Sequence, residues 1–353
     1  MSAIEQKYDR DTLVNGLDSP PRESRDTPVN SQLLPLVSIV TPAYNEEKHL
    51  AACIETVLAQ TYSNWDYTIV NNCSTDGTLA IALKYAAENP RIRVISNETL
   101  VPATANFNIA LRQISPASKY TKIVLADDEL FPECLERMVA VMEKHPSVGI
   151  VSAYGLAGWW VLWMGLPYPT HCLPGREVCR RKLLGGPYVF GSQTSVLYRS
   201  DLVRRRDPFY NESSTQPDSE ACFELLKGCD FGFVHQVLTI SPERRGSLLA
   251  AARELNTAAP DTLSQLIAFG PYYLTPEEYE STLKLTVSKY YDFLAWSFLH
   301  RRDAKFWDYH KGRLKKEGMP FSRMRLAGTV ANRVLSSLVR RFQVSRSEPR
   351  WGL

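Results

Sequence analysis

The chain has 353 residues, 44% of them hydrophobic and 22% charged, a length for one elaborated domain or two moderate ones and a composition that supports a buried core. Its 41 Lys and Arg against 38 Asp and Glu leave a net charge of +3, too little for nucleic acid, whose recognition needs a concentrated basic face. Seven scattered cysteines, odd in number and without a Cys-x-x-Cys pair, offer neither a zinc nor a redox motif and fit a reducing cytoplasm.

Residues 1–34 read as a flexible polar leader, without the charged-then-apolar layout of a secretory signal. Leu36–Thr41 is a short β-branched run bounded by proline, as a fully buried parallel strand reads. Leu50, Cys53, Ile54, Val57 and Leu58 then repeat at helical spacing. Tyr67–Val70 is a second strand, and Leu79, Ala82, Leu83 and Ala86 mark a second helix. Arg91–Ile95, a helix around Asn106–Gln113, Lys122–Leu125 and a helix over Pro132–Lys144 continue the alternation. Such alternation predicts an α/β fold with a mostly parallel sheet and helices on both faces. Ligands then belong at the carboxyl ends of the strands, in the loops PAYNEE, NNCSTDG and ADDELF.

No charged residue stands between Val148 and Thr170, yet Pro167, Pro169 and several glycines argue against a membrane span. Val148–Ser152 is predicted as a buried strand and the Trp-rich piece after it as a core element or an apolar acceptor wall. A polar region with glycine clusters, including GGPYVFGSQTS, runs from His171 to about Ser247, and from Thr262 the pattern turns helical and aromatic. Between Lys311 and Leu353 there are 11 Lys and Arg against Glu317 and Glu348, so this segment carries +9 and the remainder −6. An apolar stripe over Ala327, Val330, Ala331, Val334, Leu335, Leu338 and Val339 lies beside arginines, which predicts a basic amphipathic helix suited to an anionic membrane surface over residues 322–345, or docked on the domain.

The chain lacks a P-loop, a dinucleotide fingerprint and a His-Glu-x-x-His motif. What remains is the acidic loop. Asp127 and Asp128 end a predicted buried strand, where adjacent carboxylates repel unless a cation or hydrogen-bonding ligand joins them. A hard divalent ion suits such oxygen donors and is often shared with substrate phosphates. His235, in an apolar strand, reads as a satisfied histidine rather than a ligand, and Asp76 as a turn and capping residue.

Four stretches, VSIVTPAYNEEKHLAACIETVLAQTY, WDYTIVNNCSTDGT, VLADDELFPECLERM and DSEACFELL followed by DFGFVHQVLT, together resemble the inverting glycosyltransferases of family 2, bacterial members above all. The resemblance covers about Leu36–Ser247 and implies a GT-A fold. It divides the chain into the leader, a transferase domain over 35–250 with a nucleotide-binding half (35–150) and an acceptor half (151–250), and a helical region over 251–353. It also implies that Pro42, Ala43, Tyr44 and Asn45 line the nucleoside site, Glu46 reaches a ribose hydroxyl and Asn72 takes the base-reading position. Asp127 would serve ribose or metal, and Asp128 a divalent cation, Mn or Mg, that neutralises the departing nucleoside diphosphate. Asp218 is the implied base that deprotonates the acceptor, with Glu220 as second choice, and Asn106 and Asn108 are weaker candidates for sugar or diphosphate. Two departures stand out: Leu125 lies where many members have a first aspartate, and Arg244 and Arg245 stand where a histidine is common, so Arg245 could bind phosphate instead. The implied activity is sugar transfer from a nucleotide-sugar donor to a saccharide or lipid-linked saccharide acceptor at the cytoplasmic membrane face. A sugar-nucleotide-binding protein without catalysis is the alternative, and a nucleotidyltransferase stands well below it.

Overall fold

The computed structural model describes residues 34–242 and 254–346. Residues 1–33 of the leader, Arg244 and Arg245, and the tail beyond Arg346 lie outside the described residues.

The first half alternates as the pattern predicts: β1 (Val37–Ala43), α1 (Leu50–Leu58), β2 (Trp65–Asn71), α2 (Thr78–Glu88), β3 (Ile92–Ser96), α3 (Ala103–Leu111), β4 (Tyr120–Ile123), β5 (Glu129–Leu130) and α4 (Cys134–Lys144). The second half contributes β6 (Val148–Ala157), β7 (Trp160–Leu162), β8 (Cys172–Leu173), α5 (Gly175–Leu183), β9 (Leu197–Arg199), α6 (Ser200–Arg204), α7 (Pro217–Leu225) and β10 (Asp230–Ile240). The strands of both halves form one sheet in the order β3-β2-β1-β4-β9-β6-β10-β5, with β7 beside β6 and β8 beside β10. β3, β2, β1 and β4 are mutually parallel, as are β6 and β10, while β9 runs antiparallel between β4 and β6.

Strand side chains alternate between two cores, as a sheet covered on both faces requires. Ile39, Ile69, Tyr120 and Val151 pack into one cluster with α1 and α4, whereas Val40, Val70, Ile123 and Ile150 pack into the other with α3, α5 and α7. On α1 the buried residues Leu50, Cys53, Ile54 and Val57 are those of the helical repeat in the sequence.

Two sequence expectations need correction. The fourth strand ends at Ile123 rather than Leu125, because the Leu125 N–H leaves the ladder and donates to Thr194 Oγ1 at 3.0 Å. The Trp-rich piece is no core element: β6 runs on to Ala157, turns through Gly158 (φ 56°) and returns as β7, leaving Trp159 98% and Trp160 72% exposed. Only Trp163 is tucked in, its indole N–H donating to Ser195 Oγ at 3.1 Å.

The C-terminal helices are α8 (Ala258–Tyr273), α9 (Pro276–Leu299), α10 (Ala304–Lys316) and α11 (Arg323–Arg346). α9 starts at a capping box, Thr275 accepting from the Glu278 N–H and Glu278 from the Thr275 N–H, with Pro276 in the first turn. Leu263, Val287, Tyr290, Leu294, Phe306 and Leu314 give these helices a core of their own. α11 docks through Leu326, but Met324, Val334 and Leu335 are exposed. No described helix is long and apolar enough to cross a membrane.

Candidate functional site

The loops at the carboxyl ends of β1 and β2 are stapled to each other. Pro42 and Ala43 are buried at the end of β1, and the Ala43 carbonyl accepts from the Asn72 N–H at 2.8 Å. Asn45 sits in the left-handed region (φ 54°), which asparagine tolerates better than most residues. Its N–H donates to Ser74 Oγ at 3.1 Å, and its Oδ1 accepts from the Thr75 N–H at 2.8 Å. The Glu46 N–H donates to Thr78 Oγ1 at 2.7 Å, and Asp76 accepts from Thr78 and from the Glu47 N–H. Asp76 is thus the turn residue its sequence context predicts. Tyr44 is left 44% exposed at the rim of this double loop.

Asn72 is differently employed from its expected role. Its Oδ1 accepts from Asn97 Nδ2 at 2.9 Å and from the Val101 N–H at 3.0 Å, while its Nδ2 donates to the Val101 carbonyl at 2.8 Å. An amide oxygen has two lone pairs, so in this geometry the group predicted to read a base clasps the loop after β3 instead. Asn97 also donates to Asn106 Oδ1 at 2.9 Å. Asn108 is spent too, bonded to both the N–H and the carbonyl of Tyr210 and to Glu212, so neither asparagine of α3 reaches outward as expected.

The acidic turn follows β4. The Asp128 N–H closes it on the Leu125 carbonyl at 3.0 Å, leaving Asp127 half-buried and Asp128 only 3% exposed. Both charges reach under the sheet end: burial, joined by the fields of Asp128 and Asp127, pushes the Cys53 thiol up to about 12. A hard divalent ion fits two adjacent carboxylates. Among the described residues no third His, Cys, Asp or Glu joins them in a metal-holding group, so phosphate oxygens and water would complete the shell. His235 is not available, as its sequence context predicts. Its Nδ1 accepts from the Tyr154 hydroxyl and its Nε2 donates to the Thr170 carbonyl, both at 2.8 Å.

Asp218 lies in the first turn of α7, after the N-cap Gln216 and Pro217. Burial raises its carboxyl above the usual range, against the pull of the backbone N–H groups of Asp218 and Ser219. Burial raises the phenols of Tyr188, Tyr198 and Tyr210, and the Asp218 charge raises each of them further. Glu220 turns elsewhere, accepting from Asn211 Nδ2 at 3.0 Å.

One loop, which the sequence marks only by its glycines, joins the acidic turn to α7. At one end Thr194 Oγ1 holds the Leu125 N–H, and Thr194 and Val196 offer their carbonyls to the buried ammonium of Lys122. At the other end Tyr188 shares a 2.7 Å hydrogen bond with Ser219 Oγ and donates to the Gly191 carbonyl at 3.1 Å. Gly191 has φ 88°, and a Cβ there would stand 2.5 Å from Ser195 Cβ, so glycine is required.

A mostly parallel sheet with stapled loops and an acidic turn at its carboxyl edge is the arrangement of a GT-A sugar-nucleotide fold. Residues 38–206 match the family described as glycosyl transferase family 2. Over those residues the chain is thus similar to the family 2 glycosyltransferases and shares their fold. It is similar to the putative glycosyltransferase EpsE of Bacillus subtilis, 34% identical over 180 residues, which are 49% of this chain and 63% of that protein. It is also similar to an Escherichia coli UDP-Glc:alpha-D-GlcNAc-diphosphoundecaprenol beta-1,3-glucosyltransferase, WfgD, 33% identical over 31% of this chain and 42% of that protein. The chain spans less than two thirds of the length of these curated relatives. In fold it is similar to S. aureus TarS 1–349 solved with UDP-GlcNAc, with a TM-score of 0.60, 17% identity and 83% of each chain covered.

Proposed function

We propose that this protein transfers a sugar from a nucleotide-sugar donor to a saccharide or lipid-linked saccharide acceptor, with inversion at the anomeric carbon. The observation that carries the reading is the Tyr188–Val196 loop, which ties the acidic turn to the helix of Asp218. The donor lies against the stapled loops, with the exposed ring of Tyr44 beside the base and Glu46 toward the ribose. Asp127 and Asp128 hold the diphosphate side. When bound there, Mn or Mg supplies Lewis-acid neutralisation of the leaving group. Asp218 takes the proton from the acceptor hydroxyl as that oxygen attacks the anomeric carbon. The bond to the nucleoside diphosphate breaks on the opposite face, and the configuration inverts. A carboxyl raised by burial is a stronger base than an exposed one, which suits this role.

The acceptor approaches past the exposed Trp159 and Trp160, whose faces suit sugar rings. A lipid-linked acceptor, together with the free state of all seven cysteines, supports work at the cytoplasmic face of the membrane, with the basic helix over 322–345 touching an anionic surface. Nucleic acid is not a partner in this reading. The test is Asp218→Asn: donor binding stays, while transfer falls by at least about 100-fold. Wild-type turnover in that variant would remove the base assignment.

A further inference from the structure

Between the end of α6 at Arg204 and Pro217 the chain has no helix or strand, so the entry to α7 is fixed by side chains. Asn108 of α3 and Arg112 just past its end hold the earlier part of this segment at Tyr210, Glu212 and Asp207, and the C-terminal helices hold its last two residues, Thr215 and Gln216. Asp261, in the first turn of α8, and Arg313, near the end of α10, form an ion pair of 3.0 Å with both partners buried. The pair is built around two residues of the irregular segment. Asp261 Oδ1 accepts from Thr215 Oγ1 at 3.1 Å and Oδ2 from Gln216 Nε2 at 2.9 Å. Arg313 Nη1 donates to Thr215 Oγ1 and Nη2 to Ser264 Oγ, both at 2.8 Å. Gln265 Nε2 donates to Gln216 Oε1, so the Gln216 amide is held at both ends.

We propose that Asp261 and Arg313 are positioning residues: a buried ion pair on the C-terminal helices grips Thr215 and Gln216 and thereby aims the Asp218 carboxylate at the acceptor hydroxyl. The inference rests on Asp218 being the base. Stability is a poor reason for such a pair, since an apolar pair of similar volume usually serves as well or better. Fixing a geometry is what the charges achieve here, because Gln216 is the N-cap of α7 and Asp218 is two residues further on. The Asp261 charge also adds to burial in raising the Asp218 carboxyl. The helical region following the family domain is, in this account, part of the catalytic apparatus.

The test is a double-mutant cycle in the full-length chain, since groups acting as one unit give non-additive losses. Arg313→Gln breaks the clamp from the helices, and Gln216→Ala opens it from the other side without leaving a charge buried, should the first variant fold poorly. Binding is read by titrating UDP, GDP and dTDP, and turnover by transfer from the matching labelled sugar nucleotides to polyprenyl-linked saccharide. The expected result is a kcat lower by roughly 10- to 100-fold, the scale of a small misplacement, with nucleotide affinity unchanged. In an Asp218→Asn background the same substitutions should cost nothing more. Unchanged kcat, a parallel loss of nucleotide affinity, or losses that multiply in the Asp218→Asn background would each overturn the clamp. Wild-type turnover of Asp218→Asn alone would end the base assignment and the clamp with it.

Discussion

In the proposed reading Asp127 and Asp128 serve the donor side with few helpers. Leu125 takes the place of a further aspartate, and no described histidine or acid completes a ligand set. A cation held by so few protein oxygens is bound through the nucleotide as much as through the protein, so it should exchange readily. Transfer is therefore expected to stop in excess EDTA and return with Mn or Mg, and Asp128→Asn should raise the concentration needed for recovery by about 10-fold or more. Full activity in excess chelator would exclude the cation. Asn72 shows where residue-by-residue reading stops: its position after β2 is legible in the motif, but whether its amide faces a base or the Val101 backbone depends on a loop 29 residues downstream.

Helices and strands were more legible than side-chain roles. The β-branched run of β1 and the repeat on α1 are local signals, and both elements form where the pattern places them. The Trp-rich hairpin misled because an uncharged run has the composition of a core, and only pairing of β7 with β6 leaves its tip in solvent. Nothing in the sequence announces the Asp261–Arg313 pair, whose members are 52 residues apart by their numbering. The C-terminal helices also contain a pH-sensitive contact. His310 is fully buried, its Nε2 donating to the Leu255 carbonyl at 2.9 Å and its Nδ1 accepting from Tyr290 at 2.6 Å. Burial first, then the Arg302 and Arg313 charges, lower it from 6.5 to about 4 despite the Leu255 bond. Between those values the unfolded chain binds a proton that the folded chain refuses, so stability falls as pH drops through this window. The loss is on the order of 3 kcal/mol. Thermal melts from pH 7 to pH 5 should show a decline that His310→Gln flattens, and an identical slope in the variant would refute this.

At the scale of the molecule, charge is unevenly placed. The +9 of residues 311–353 gathers on the end that carries α11, where Arg323 and Arg333 are exposed beside Val334 and Leu335. The first turns of that helix are anchored, Arg325 lying 4.8 Å from the Tyr291 ring centre and Leu326 packing on the helical core. Full-length protein should float with vesicles containing phosphatidylglycerol, more weakly as salt rises, and deletion of residues 322–353 should abolish flotation. Equal flotation after the deletion, or none before it, would refute membrane contact through this helix.

The pairing of β5 with β10 sets the order in which the surroundings of the acidic turn can become complete. Glu129 and Leu130, next to the acidic turn, lie against Ile240 and Thr239, and the Phe131 N–H donates to the Leu238 carbonyl. A nascent chain emerging from the ribosome therefore holds its motif-bearing first half long before the strand that closes that side of the turn exists. Contacts of such long sequence separation form slowly because a large loop must close first. The strands before and after residue 150 accordingly belong to one sheet, and a fragment cut there would leave a raw sheet edge where β9 and β10 should pair.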